Sequence, residues 1–192
     1  LRRLGVGSTL VVPDYPQSTT PEAGVLRVPA RSVPLDPEDR VMGWGALRVW
    51  NDDEIAADSG FAPHPHADME IVTYVREGAI THQDDLGNEG RTVAGDVQVM
   101  SAGTGIRHSE MNPRADREVH FIQMWVVPDT RRITPGYQQL DVNGQLAKGG
   151  LVPVASGKGH NSAISIHQKG AALWAGRLQP GETVTVPDNA YV

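Results

Sequence analysis

His64-Pro65-His66, answered downstream by Gly103-Thr104-Gly105-Ile106-Arg107-His108-Ser109-Glu110, is the text on which the fold turns. Each half carries its chemistry at positions i and i+2: His64 with His66, then His108 with Glu110. Along a β-strand, side chains two apart leave the same face. Two such pairs on facing strands therefore converge on one point. Three neutral imidazole nitrogens and one carboxylate oxygen suit a divalent first-row metal. The stretch thus predicts strands, with a metal site inside a β-barrel. Pro65 lacks an N–H and belongs on an edge strand or at a bulge. Gly103 and Gly105 let the backbone turn tightly before the second pair.

The flanking sequence has the same character. Glycine and proline recur at short intervals and long helical periodicity is scarce, which favours an all-β chain. Ala46–Trp50 reads as a strand ended by a turn at Asn51-Asp52-Asp53. Further strands are expected at the His64/His66 stretch, 70–75, 79–83, 97–100 and 118–127. Residues 1–40 read as irregular. Thr134-Pro135-Gly136 reads as a linker, followed by short strands at 150–154, 162–167, 171–178 and 182–186. The expected division is a metal-binding domain over 1–134 and a linker with a partial second domain over 135–192.

Composition narrows the function. The 192 residues suffice for a sizeable core, and there are no cysteines. Disulfides, thiolate metal sites and cysteine nucleophiles are excluded, and a reducing compartment fits. The net charge of −6 and the lack of a basic block argue against direct nucleic-acid binding. No apolar run approaches the roughly 18 residues of a membrane span. The opening residues do not read as a signal peptide, so the expected address is the cytoplasm.

With these motifs in hand, residues 43–128 resemble the pirin family of bicupins, above all its bacterial members. The matching text includes Ala46-Leu47-Arg48-Val49, Asn51-Asp52-Asp53, His64-Pro65-His66, Asp68-Met69-Glu70 and Thr73-Tyr74-Val75. It continues through Glu77-Gly78, His82-Gln83-Asp84, Gly95-Asp96 and Met100 to Glu110. The resemblance implies two cupin (double-stranded β-helix, jelly-roll) barrels, here with a short or incomplete second one, and metal only in the first. It implies His64, His66, His108 and Glu110 as ligands; Glu110 is also the natural candidate for catalytic proton acceptor. General cupins often use a glutamate placed like Glu70, which is here expected to be a supporting residue. Fe2+ is the first expectation for the metal, with Mn2+, Ni2+, Cu2+ and Zn2+ as alternatives that the donors accept.

The activity implied is that of a quercetin 2,3-dioxygenase, opening the central ring of a flavonol with O2. The rival expectation is a non-catalytic, redox-sensing metal protein that acts through a protein partner. Asp68, Glu70, Asn51 or backbone carbonyls are candidates to orient the histidines. His82 is either a proton carrier lining the pocket or a hydrogen-bonded wall residue. His120 is expected to be structural, and His160 and His167 to be surface residues. Trp50, Trp125 and Trp174 are expected in the core or between the barrels.

Overall fold

A computed structural model describes residues 45–185. The expected irregular opening and the end of the last expected strand lie outside them. Nine strands build the first unit: β1 (Leu47–Ile55), β2 (Gly60–His66), β3 (Glu70–Glu77), β4 (Ala79–Asp84), β5 (Glu89–Val93), β6 (Asp96–Ser101), β7 (Ile106–Met111), β8 (Val119–Val126) and β9 (Gly136–Asp141). A single helical turn, α1 (Asn143–Leu146), leads to β10 (Val152–Ser156), β11 (Ile164–Ser165) and β12 (Ala172–Ala175).

The strands form two facing sheets, ordered β1-β8-β3-β6-β9 and β2-β7-β4-β5, and a separate sheet β11-β10-β12. The two larger sheets are antiparallel throughout. This is the expected all-β cupin barrel. The third sheet lies within residues 135–192, where the partial second unit is expected. β9 begins two residues after the expected division at 134/135 and pairs with β6 from Ser101↔Gly136 to Asp96↔Asp141. Gly136 therefore opens a strand of the first unit's sheet, and the expected linker lies against the glycine loop, where Thr104 N–H donates to the Ile133 carbonyl.

Alternation sorts the residues. On β3, Ile71, Thr73 and Val75 face the barrel interior, while Glu70, Val72 and Tyr74 face outward. The outward face packs, with Val97, Val99 and Met124, on Val142, Leu146, Val154 and Ile164 of the C-terminal segment. The interior is layered. Ile55, Val75, Ile80, Val119 and Phe121 fill one end. Ile71, Met100, Ala102 and Ile106 fill the other, with Met69 and Trp125 against them. The buried polar residues Thr73, Gln98, Gln123, His82 and Glu110 lie on the same inward-facing strands.

Three expectations are corrected. Asn51-Asp52-Asp53 does not end β1. It pairs on through Asn51↔Gln123, Asp52↔Ile122 and Asp53↔Phe121. Pairing with β8 holds the segment: Asp52 faces outward to Arg76 at 3.2 Å, while Asp53, on the inward parity of Val49 and Ile55, has a buried Oδ2 without a partner. Trp50 is not core but 43% exposed, because it has the opposite parity from buried Val49. Residues 182–185 form no strand.

The corner that delivers β7 needs glycine. Gly103 has φ +45° and a Cβ there would collide with the Ile133 carbonyl oxygen. Asp68 N–H donates to the Gly103 carbonyl at 2.9 Å, joining this loop to the β2–β3 turn.

Candidate metal centre

β2 is an edge strand paired with β7, in register His64↔His108, Pro65↔Arg107 and His66↔Ile106. Pro65 thus sits on an edge strand and points outward, as expected. A register shift between Phe61 and His64 sets where the doublet begins. On β7, Ile106, His108 and Glu110 are buried, while Arg107, Ser109 and Met111 alternate toward solvent.

The structure brings His64, His66 and His108 together. Their ring centroids are 4.8, 4.5 and 5.1 Å apart for the pairs 64–66, 64–108 and 66–108. One donor atom from each lies within 4.8 Å of the others. Glu110, two residues deeper along β7, falls instead in an overlapping trio with His82 and His108, again within 4.8 Å. The donors fit a metal. His64 Nδ1 donates to the Ala62 carbonyl at 2.8 Å, which leaves Nε2 as a lone pair. His108 Nε2 is buried with no hydrogen-bond partner. A buried polar atom of this kind is costly unless something fills its valence.

Burial also prepares the rings. It lowers the His66 pKa to about 4, with His64 adding to the effect. It lowers His108 to about 2, reinforced by His64, His66 and His82 and opposed by Asp84. Near neutral pH both are neutral imidazoles, the form that ligates metal.

Glu110 has a directed environment. Gln98 Nε2 donates to its Oε1 and Gln123 Nε2 to its Oε2, each at 2.8 Å. Both amide oxygens have partners of their own. Thr92 Oγ1 and Tyr137 OH donate to Gln98 Oε1, at 2.7 and 3.0 Å. Trp125 Nε1 donates to Gln123 Oε1 at 3.1 Å. The indole, a donor only, fixes the Gln123 NH2 toward Glu110, and the Gln98 NH2 faces Glu110 with both hydroxyls on its carbonyl oxygen. Burial raises the Glu110 pKa to about 7, with Asp53 adding to the effect and the two amides working against it.

Asp53 is a cost the fold carries nearby. Its Oδ2 is buried without a partner. Burial raises its pKa from 3.8 to about 6, against a hydrogen bond with Asn51. Above pH 6 the native state holds this charge in place. Below 3.8 the carboxyl is protonated in both native and unfolded chains. Asp53→Asn should therefore stabilise the metal-free protein by about 1–3 kcal/mol at pH 7.5. The gain should fade as pH falls through 6 and vanish below about 4. Urea unfolding midpoints at pH 7.5 and 4 check this; equal gains at both pH values would contradict it.

Among the other predicted residues, Glu70 faces away from the barrel interior. Its Oε2 accepts from Ser101 Oγ at 2.9 Å and from the His167 backbone N–H at 3.1 Å. His167, expected to be a surface residue, is 46% exposed by side chain yet also brings Nδ1 to Glu70 at 3.3 Å, joining the C-terminal segment to β3. His120 packs beside Glu54 and Asp52 at 3.1 and 3.4 Å. His160 bonds Ser156 and meets Trp174 edge-on. Trp125 meets His66 edge-on at 4.9 Å.

His82 is fully buried rather than pocket-lining. Its Nε2 lies 3.0 Å from Asp84 Oδ2, its Nδ1 lies 3.3 Å from His108 Nδ1, and its ring stacks on Tyr137 at 4.3 Å. Asp84 was not singled out from the sequence, although the i, i+2 spacing of His82 and Asp84 was a usable signal.

A cleft of about 610 Å³ opens at His66, lined also by Met69, Ile106, Arg107 and Trp125. That volume suits a small organic molecule. A second cleft, of about 440 Å³ beside β9, is lined by Gln138, Gln139, Gln145 and Asn161 among others, and offers no titratable group. No described helix is long and apolar enough to cross a membrane.

A cupin barrel with a histidine trio at one end of its interior is the class that this fold and site define. Residues 36–126 match the Pirin family model, and the chain belongs to the pirin family. It is 51% identical to a pirin-like protein of Caulobacter vibrioides over 144 residues, 75% of this chain and 62% of that protein. It is 48% identical to a quercetin 2,3-dioxygenase of Escherichia coli K12 over 127 residues, 66% of this chain and 54% of that protein. The crystal structure of the bacterial pirin YhhW from Escherichia coli in complex with nickel(II) is similar at 46% identity and a TM-score of 0.62. The match covers 71% of this chain and 57% of that one. The chain thus spans less than two thirds of the length of these relatives.

Proposed function

We propose that this chain carries the metal centre of a quercetinase-type dioxygenase, with His64, His66, His108 and Glu110 as ligands. Fe2+ is the first candidate, and the same donors accept Mn2+, Ni2+, Cu2+ or Zn2+. The substrate is a flat aromatic flavonol, whose central ring opens with O2 and releases carbon monoxide. The observation that carries the reading is the convergence of three imidazoles, one with an unpartnered buried nitrogen, beside a cleft walled by Trp125, Met69 and Ile106. The names of the relatives add the substrate class.

When bound, such a metal supplies Lewis acidity that favours the deprotonated 3-hydroxyl of a flavonol. The residues do the rest. Glu110 is the proton acceptor; burial raises its pKa to about 7 without metal, and a bound cation would hold it ionised and able to accept. Gln98 and Gln123 hold its two oxygens in place. Trp125 offers an apolar wall and fixes the Gln123 amide from the cleft side.

The test is an aerobic assay of quercetin consumption and carbon monoxide release. It is run on protein stripped of metal and reloaded in turn with Fe2+, Mn2+, Ni2+ and Cu2+, with metal content measured alongside. Metal-dependent turnover is the expected result. Stoichiometric metal binding with no turnover of any flavonol would overturn the enzyme reading and leave the metal-binding regulator.

A further inference from the structure

We infer that Asp84 and His82 form a buried relay that sets the tautomer of His108 and so presents its Nε2 as a lone pair to the other two imidazoles. This rests on the proposed metal centre. The chain of reasoning is a count of protons along three hydrogen-bonding groups. Asp84 is anchored first. Its Oδ1 accepts from Leu86 N–H at 3.0 Å and Asn88 N–H at 2.9 Å, and its Oδ2 from Asn88 Nδ2 at 2.9 Å. Those donors require an acceptor at 84, so the carboxylate oxygen facing His82 is an acceptor as well. His82 Nε2, 3.0 Å away, must donate to it.

A neutral His82 then has only a lone pair on Nδ1. The Nδ1 of His108, 3.3 Å from it, must carry the proton between them. His108 is left with a bare Nε2, the atom that is buried and unpartnered. The reverse polarity would place an N–H on Nε2, a buried donor with no acceptor.

Strand geometry builds the relay. Asp84 pairs with His108 and His82 with Glu110 across β4 and β7, and His82 and Asp84 share one face of β4. His82 therefore stands diagonally across from His108. Tyr137 of β9 stacks on its ring and limits its rotation. Both side chains of the His82–Asp84 pair are wholly buried, so water does not compete for these bonds. A cation shared by His82, His108 and Glu110 would need bare nitrogens on both rings. The 3.3 Å approach of the two Nδ1 atoms is instead a hydrogen-bond distance. His82 and Asp84 are thus positioning residues.

Asp84→Asn inverts the relay without changing its shape. The Leu86 and Asn88 N–H groups keep the amide oxygen at Oδ1, Asn88 Nδ2 falls back on that oxygen, 3.2 Å away, and the amide NH2 turns to His82 Nε2. His82 must then carry its proton on Nδ1, and His108 is driven to the Nε2–H form. In the metal-free wild type, long-range 1H–15N spectra of histidine-labelled protein should show His82 protonated on Nε2 and His108 on Nδ1. In Asp84→Asn both should switch, and Zn2+ affinity in a chelator competition should fall about 10- to 100-fold.

An Nε2–H His108 in the metal-free wild type overturns the inference, and this spectrum is readable even if the variant does not fold. Unchanged tautomers in a folded Asp84→Asn protein overturn it too, whatever its affinity. Unchanged Zn2+ affinity does the same. Failure of the metal centre itself reads differently: wild-type protein would then bind no Zn2+, Ni2+ or Fe2+ at all.

Discussion

His108→Ala should abolish metal binding under conditions that saturate the wild-type protein. His108 faces His64 directly across the β2–β7 pair and lies within ligand distance of both other imidazoles. It is also buried, so no exposed side chain or bulk water can take over its position. Losing a ligand's orienting partner alone costs about 10- to 100-fold in affinity. Losing the ligand should cost at least about 10³-fold, on the same scale. The substitution also strands His82 Nδ1, whose partner is the His108 ring. Calorimetric titration with Ni2+ and Zn2+ checks the affinity, and circular dichroism checks that the barrel persists. A folded variant with wild-type affinity would remove His108 from the site.

Glu110→Gln should lower turnover of quercetin by about 10²- to 10⁴-fold, the span associated with loss of a positioned proton acceptor. The change preserves shape and removes both the charge and the basic oxygen. It also sets donor against donor. Gln123 cannot turn its NH2 group away, because the Trp125 indole, a donor only, holds its carbonyl oxygen. An amide at 110 that gives its oxygen to Gln123 places its NH2 against that of Gln98, until Gln98 turns over onto the Thr92 and Tyr137 hydroxyls. The measurement is kcat at saturating metal, with metal content determined in the same samples. Full metal loading with wild-type kcat would show that Glu110 neither accepts the proton nor needs its charge. Reduced loading with proportionate loss of activity would assign it to ligation alone.

Much of this site was legible beforehand, and the reason is periodicity. A repeat of two is strong evidence of a shared strand face, so His64, His66, His108 and Glu110 could be placed on inward faces from spacing. Position alone could not distinguish Glu70 from Glu110. Glu70 has the opposite parity on β3 from Ile71 and Thr73, and whether that face met solvent, a pocket or packed chain depended on what covers the sheet. The C-terminal segment covers it: Glu70 Oε2 accepts from Ser101 and His167, and Oε1 is buried without a partner. Asn51-Asp52-Asp53 misled for a related reason. Its composition is that of a turn, yet pairing with β8 and a polar interior layer keep it extended. Local preference yields when tertiary pairing satisfies the backbone on both sides.

What the sequence determined by itself was the strand-rich barrel, the two same-face pairs, the need for glycine ahead of β7 and the absence of thiol chemistry. These follow from rules acting over a few residues. Only the tertiary structure decided that His64, His66 and His108 form one close trio, with Glu110 a step deeper beside His82. It alone revealed the two clamped amides on Glu110 and the Asp84–His82–His108 line. Glu110 lies 12 and 13 positions from Gln98 and Gln123, and His82 lies 26 from His108, so the register of paired strands makes these contacts. A shift of one residue in that register would turn each of these side chains to the opposite face.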